Sequence, residues 1–131
     1  MLDFIIIFLI ALTIFLVLDG IWLGFIAKNM YKKKIGHLMA EKPRWLVAAV
    51  FYLFFITGLS FFVIQEAVNL ESIIFAMGGG AFFGALTYST YDLTNLATLK
   101  KWPVSMAVID IIWGSFLSAA VAVLTYLVIM I

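Results

Sequence analysis

The chain has 131 residues, of which 66 % are apolar and only 11 % charged, with a mean hydropathy of +1.22. A soluble domain carries roughly 45–50 % apolar and about 25 % charged residues, and a disordered chain is poor in apolar side chains, so neither class fits. An integral membrane protein remains, and its few polar residues are the ones to explain.

A hydrocarbon layer about 30 Å thick takes roughly 20 apolar residues per helix. Four stretches have that length: about Leu2–Ala27, Trp45–Gln65, Ser72–Leu99 and Pro103–Ile131. They predict an all-α polytopic protein, a compact bundle of four transmembrane helices forming one domain over residues 1–131. Barrel-type alternation is absent. The first stretch opens on Met-Leu-Asp, has a long apolar run and lacks a small-residue cleavage site, so a retained helix is expected rather than a signal peptide.

The connections are short. Lys28, Lys32, Lys33, Lys34, Lys42 and Arg44 lie in the first, and Lys100 and Lys101 in the third, which together hold all eight basic residues. The second, around Glu66 and Glu71, holds none. Basic loops stay in the cytoplasm, which predicts both termini and the second loop outside. His37 reads as a solvated loop residue, and the chain has no cysteine, so no thiolate metal site or disulfide can form. Pro43 and Pro103 fall at helix starts, where the missing N–H costs nothing. Trp45 and Trp102 beside them fit interfacial anchors.

Of seven acidic residues, Asp3, Glu41, Glu66 and Glu71 fall at helix ends or in loops. Asp19, Asp92 and Asp110 fall well inside the first, third and fourth stretches. Each is eight or nine residues from a basic loop, which places all three about 12–13 Å from the basic edge, near the midplane. A buried Asp costs roughly 2.5–3.5 kcal/mol at a helix centre. No lysine or arginine inside a span can offset it. The acids must be protonated, share protons, accept hydrogen bonds or bind a cation. As interhelical glue they would return only about 0.6 kcal/mol each, which Asn or Ser supplies at lower cost, so a functional site is favoured over a structural one.

Helical spacing puts Gly80, Gly84, Tyr88, Asp92 and Asn95 on one face, with the hydroxyls of Tyr91, Thr94 and Thr98 flanking it. Asp110, Gly114 and Ser118 share a second face with Trp113 beside it, and Trp22 is one turn from Asp19. Such aromatics suit an organic cation, or a protonated acid held by hydroxyl donors. Gly20-x-x-x-Gly24 and Gly80-x-x-x-Gly84 are close-packing patterns, serving contacts within one chain or across a homodimer. The run Gly78-Gly79-Gly80 marks tight packing, a kink or a flexible point. The two halves repeat a plan of apolar helix, basic loop, proline, tryptophan and apolar helix, which suggests a tandem two-hairpin duplication. In addition, Leu18-Asp19-Gly20-Ile21-Trp22 resembles Ile109-Asp110-Ile111-Ile112-Trp113.

The string Tyr91-Asp92-Leu93-Thr94-Asn95-Leu96-Ala97-Thr98-Leu99-Lys100-Lys101-Trp102-Pro103, followed by Asp110-Ile111-Ile112-Trp113-Gly114, resembles the signature of a small bacterial four-helix inner-membrane family, domain of unknown function 2177. Leu18-Asp19-Gly20-Ile21-Trp22-Leu23-Gly24 resembles its first-helix motif. The resemblance implies a multi-pass protein of the bacterial inner membrane and supplies no activity.

No nucleophile elbow, zincin motif, phosphate loop or dinucleotide fingerprint occurs, which points away from an enzyme, and nothing suggests nucleic-acid binding. No cofactor can be named. The leading expectation is proton- or cation-coupled transport, or channel-like function, at Asp19, Asp92 and Asp110. Asn95, Thr94 and Thr98 would be ligands or hydrogen-bond donors, and Trp22, Tyr88 and Trp113 would line the cavity. The partners would then be the bilayer and a small cationic or lipid ligand. An enzyme or accessory acting on a lipid or isoprenoid is the alternative, and a helper subunit of a larger membrane complex is a third.

Overall fold

The computed structural model describes residues 2–131, and the side chains of Leu2 and Asp3 lie outside the described part. The chain is helical, and four helices are long and apolar enough to cross a membrane: Phe4–Ile26, Trp45–Asn69, Ile73–Thr98 and Val104–Met130.

Helix α1 (Leu2–Ile21) continues into a wide turn, Trp22–Ile26, closed by the Ala27 N–H on the Trp22 carbonyl at 2.7 Å. A short basic helix, α2 (Lys28–Ile35), follows. Helix α3 (Trp45–Leu59) runs through a second wide turn, Ser60–Ile64, into α4 (Gln65–Asn69), so the second span passes beyond Gln65. The link to α5 (Ile73–Thr98) is a tight helix stop. Ser72 N–H reaches the Ala67 carbonyl and Glu71 N–H the Val68 carbonyl, at 3.0 and 3.1 Å, with Glu71 left-handed at φ 50°. The Ser72 hydroxyl then accepts the Phe75 N–H at 3.0 Å and starts α5. Helix α6 (Val104–Met130) begins directly after Pro103.

Two features of the packing set up the site. Helices α5 and α6 meet backbone to backbone. A methyl group at Gly80 would stand 2.8 Å from the Ser118 carbonyl oxygen, and one at Gly84 would overlap the Gly114 carbonyl. Gly114 in turn faces the ring of Tyr88. The glycine run is therefore part of an unbroken helix, with Gly80 in a tight contact and Gly78 facing open space. Gly20 and Gly24 differ from the second stripe, since a methyl on either meets nothing within 4 Å among the described residues.

The second feature is an uneven core. Ile7, Ala11 and Phe15 of α1, Phe55 to Ala67 of the second span, Ala76 of α5, and Leu117 to Tyr126 of α6 form its buried cluster. All lie in the half of the bundle away from the basic loops. In the half near those loops, Trp45–Phe54 of α3 is mostly exposed, as are Gly20, Ile21 and Leu23–Ile26 of the first span. The bundle is closed at one end and splayed at the other. The two hairpins consequently pack differently: α1 lies chiefly on α6 rather than on α3, while α5 and α6 are in intimate contact along their length.

Candidate functional site

A cavity of about 360 Å³ occupies the splayed half. Asp19 and Leu23 of the first span, Tyr31 of α2, Ala48, Phe51 and Tyr52 of α3, Thr87, Tyr88 and Tyr91 of α5, and Asp110 and Trp113 of α6 line it. Aromatic rings form its floor. Phe15 meets Tyr52 edge-on at 5.3 Å, and Phe55 meets Tyr88 edge-on at 6.2 Å.

The two Asp-x-x-Trp segments meet beside the cavity; Asp19, Asp110 and Trp113 line it, whereas Trp22, expected on the wall, is stacked behind Trp113 and does not. Trp22 and Trp113 stack with ring centroids 4.4 Å apart and planes 9° from parallel. Each indole serves the aspartate of the other segment. Trp113 Nε1–H donates to Asp19 Oδ1 at 3.2 Å. Trp22 Nε1–H donates to the Tyr31 hydroxyl at 3.2 Å, and that hydroxyl donates to Asp110 Oδ1 at 2.7 Å. The sequence similarity between the segments thus corresponds to a reciprocal arrangement, direct on one side and bridged by Tyr31 on the other.

Tyr31 is held there by the amphipathic character of α2. Tyr31 and Ile35, one turn apart, pack on Trp102, Met106, Ala107 and Leu96 across the ends of α5 and α6. Lys34 Nζ–H donates to the Ser105 hydroxyl at 2.5 Å and fixes the same docking. Burial pushes the Tyr31 hydroxyl above the ordinary tyrosine range; the bond to Asp110 adds to this, and the Trp22 N–H works against it.

The third carboxyl group is behind the wall. Asp92 is fully buried, and Asp19 and Asp110 are 8 % and 6 % exposed. Asp92 is a close neighbour of Asp110. Two ionised carboxylates have no hydrogen to donate, so this contact becomes a bond only when one carries a proton. Neither Asp92 oxygen has a hydrogen-bond partner among the described residues. No lysine or arginine lies inside any of the four spans. Among the described residues, no three acidic, histidine or cysteine side chains are gathered to hold a metal ion.

The other residues singled out by sequence divide cleanly. Tyr88 and Tyr91 are on the cavity wall. Thr94 and Thr98 are exposed and do not reach the carboxyl groups. Thr94 donates to the carbonyls of Thr90 and Tyr91, and Thr98 to that of Thr94 at 2.8 Å, the usual fate of a helical threonine in an apolar medium. Asn95 is half-buried one turn from Asp92 and makes no side-chain hydrogen bond among the described residues. Trp45 is 70 % exposed, as an interfacial anchor would be. Trp102 is 7 % exposed and packs edge-on against Tyr91 at 5.6 Å, so it belongs to the bundle rather than to the lipid boundary. Sequence reasoning missed Tyr31, Tyr52 and Thr87. The pairing of Tyr31 with Ile35 on one face of an otherwise basic helix was the available signal for the first.

Residues 4–127 match the family described as predicted membrane protein (DUF2177). The chain belongs to this family. No curated protein and no solved structure matches it. It is therefore a membrane protein with four apolar helices, embedded in a lipid bilayer.

Proposed function

We propose that this DUF2177 protein is a small proton- or cation-coupled transporter, or a channel-like protein, of the bacterial inner membrane, working at Asp19, Asp92 and Asp110. One observation supports the reading: three carboxyl groups without a basic partner lie inside the apolar helices, two on the wall of an aromatic cavity and the third a close neighbour of one of them. Intramembrane acids are costly and mark ion or substrate pathways. A proton held between Asp92 and Asp110 satisfies both carboxyl groups, and a cation entering beside Asp110 substitutes for it. Asn95, Thr94 and Thr98 have secondary parts at most in this reading, since none bonds to a carboxyl group.

The lateral position of the cavity also supports a ligand drawn from the lipid. It does not favour a phosphate headgroup, because two like charges about 4 Å apart repel by about 4 kcal/mol at an effective dielectric constant of 20.

The test uses the full chain in vesicles holding a trapped pH dye. After an acid jump, the wild type acidifies the lumen faster than empty vesicles do, and Asp92→Asn and Asp110→Asn fall to the empty-vesicle rate. Unchanged flux in both variants overturns the assignment.

A further inference from the structure

The cavity is open at its side. Leu23, Phe51 and Tyr91 line it and are 42 %, 49 % and 51 % exposed, and all three lie inside membrane spans. Leu23 is five residues from Lys28, Phe51 six from Trp45 and Tyr91 nine from Lys100. At 1.5 Å per residue, the mouth lies about 8–13 Å below the basic edge, within the hydrocarbon. The cause is the splay of α3, which leaves the bundle from Phe54 back to Trp45. Whatever fills the cavity by this route must dissolve in lipid first.

The inner wall specifies charge. Asp19 and Asp110 are each more than nine-tenths buried, and among the described residues only Oδ1 of each takes a hydrogen bond. Asp19 Oδ2 has no partner there, on a wall that carries no basic group. The rings of Tyr52, Tyr88 and Trp113 line the same space. Carboxylate oxygens and aromatic faces both attract a cation and repel an anion. Apart from the two carboxyl groups, the side chains on the wall are rings, aliphatic carbon and the hydroxyls of four tyrosines and Thr87, so the carboxyl groups are its only charged side chains.

We propose that the cavity binds a lipophilic organic cation that enters from the bilayer between α3 and its neighbours, its charge at Asp19 and Asp110 and its apolar body against the tyrosines and Phe51. This rests on the proton-site reading and deepens it: the cation displaces the proton held between Asp110 and Asp92, and that proton leaves to bulk water.

Three probes test it on the full chain in lipid nanodiscs, by calorimetry and tryptophan fluorescence. Tetraphenylphosphonium is expected to bind saturably, about tenfold more weakly per pH unit of acidification where one proton is displaced. Tetraphenylborate, of the same shape and opposite charge, and tetramethylammonium, of the same charge but insoluble in lipid, are expected not to bind. Asp19→Asn keeps the acceptor for Trp113 and removes the charge, and is expected to weaken tetraphenylphosphonium at least about tenfold while the Trp22–Trp113 stack remains visible by circular dichroism. Absence of saturable tetraphenylphosphonium binding, equal binding of tetraphenylborate, or an unaffected Asp19→Asn variant overturns the ligand class. Proton flux persisting in the vesicle assay alongside such a failure leaves the proton site standing, so the two readings fail separately.

Discussion

Replacing Gly84 with alanine tests the packing on which the site is built. The added methyl group would collide with the Gly114 carbonyl and stand 2.6 Å from the Ser118 hydroxyl oxygen. One of these atoms is backbone, so no side-chain rotation relieves the clash and α5 must move off α6. Overpacking of this kind costs roughly 1–3 kcal/mol, and with an unyielding neighbour the upper end applies. Alanine returns up to about 1 kcal/mol of helix propensity, which leaves a net loss of about 2 kcal/mol, roughly thirtyfold in the folded-to-unfolded ratio. Reversible unfolding by sodium dodecyl sulfate in mixed micelles reads this difference directly. Gly20→Ala is the control, because its methyl meets nothing within 4 Å and only the propensity gain of up to about 1 kcal/mol remains. A Gly84→Ala protein as stable as the wild type refutes the backbone-contact argument. A Gly20→Ala protein destabilised as much as Gly84→Ala refutes the claim that the two glycine stripes differ.

Tyr31→Phe removes the donor to Asp110 and leaves the Trp22 N–H unpaired, and is expected to cost about 1–3 kcal/mol in the same unfolding assay. Because burial raises the Tyr31 hydroxyl above its unfolded value, the folded state holds this proton more tightly. Its stabilisation is complete below the unfolded tyrosine range near pH 10 and is lost as pH rises beyond it; the wild type should therefore weaken above about pH 10, and Tyr31→Phe should lack that part of the decline. The Trp22–Trp113 stack should produce an exciton couplet in circular dichroism that disappears in both Trp22→Phe and Trp113→Phe, and persistence in either single variant contradicts the stacking. The orientation is open to labelling because the chain has no cysteine of its own. With the basic loops inside, a membrane-impermeant maleimide should label Leu70→Cys in intact cells and Lys33→Cys only after permeabilisation, and the reverse pattern inverts the topology.

The spans were legible because length and composition alone determine what can cross a hydrocarbon layer. The close contact of α5 with α6 was half legible: Gly80-x-x-x-Gly84 packs against α6, but Gly20-x-x-x-Gly24, identical as a pattern, faces open space. A small-residue stripe states that a backbone can approach and says nothing about which surface does. The same limit explains Thr94 and Thr98. Helical spacing brought them near Asp92 on the surface of the helix, but a threonine hydroxyl in a helix finds the carbonyl one turn back before it finds anything on a neighbour. Trp102 was misjudged as an interfacial anchor on its place beside Lys101 and Pro103; the docking of α2 over that end of the bundle, a tertiary event, buries it. Asp19 with Asp110 on one cavity wall was foreshadowed by the shared Asp-x-x-Trp pattern.

The two Asp-x-x-Trp segments are alike in sequence and unequal in access. Asp19 stands one turn from Leu23 at the open side and is held by a single indole N–H. Asp110 is closed in by Asp92 behind it and by Tyr31 above it. Tyr31 belongs neither to a span nor to either segment, but to a basic helix resting on the bundle's end through Ile35, Trp102 and Met106. The indole stack joins the two poles, since Trp22 bonds to Tyr31 and Trp113 to Asp19. Without α2 docked on α6, the Tyr31–Asp110 bond is lost and the Trp22 N–H has no acceptor. The hydrogen bonds of both Asp110 and the Trp22 indole therefore depend on one side chain of the short basic helix.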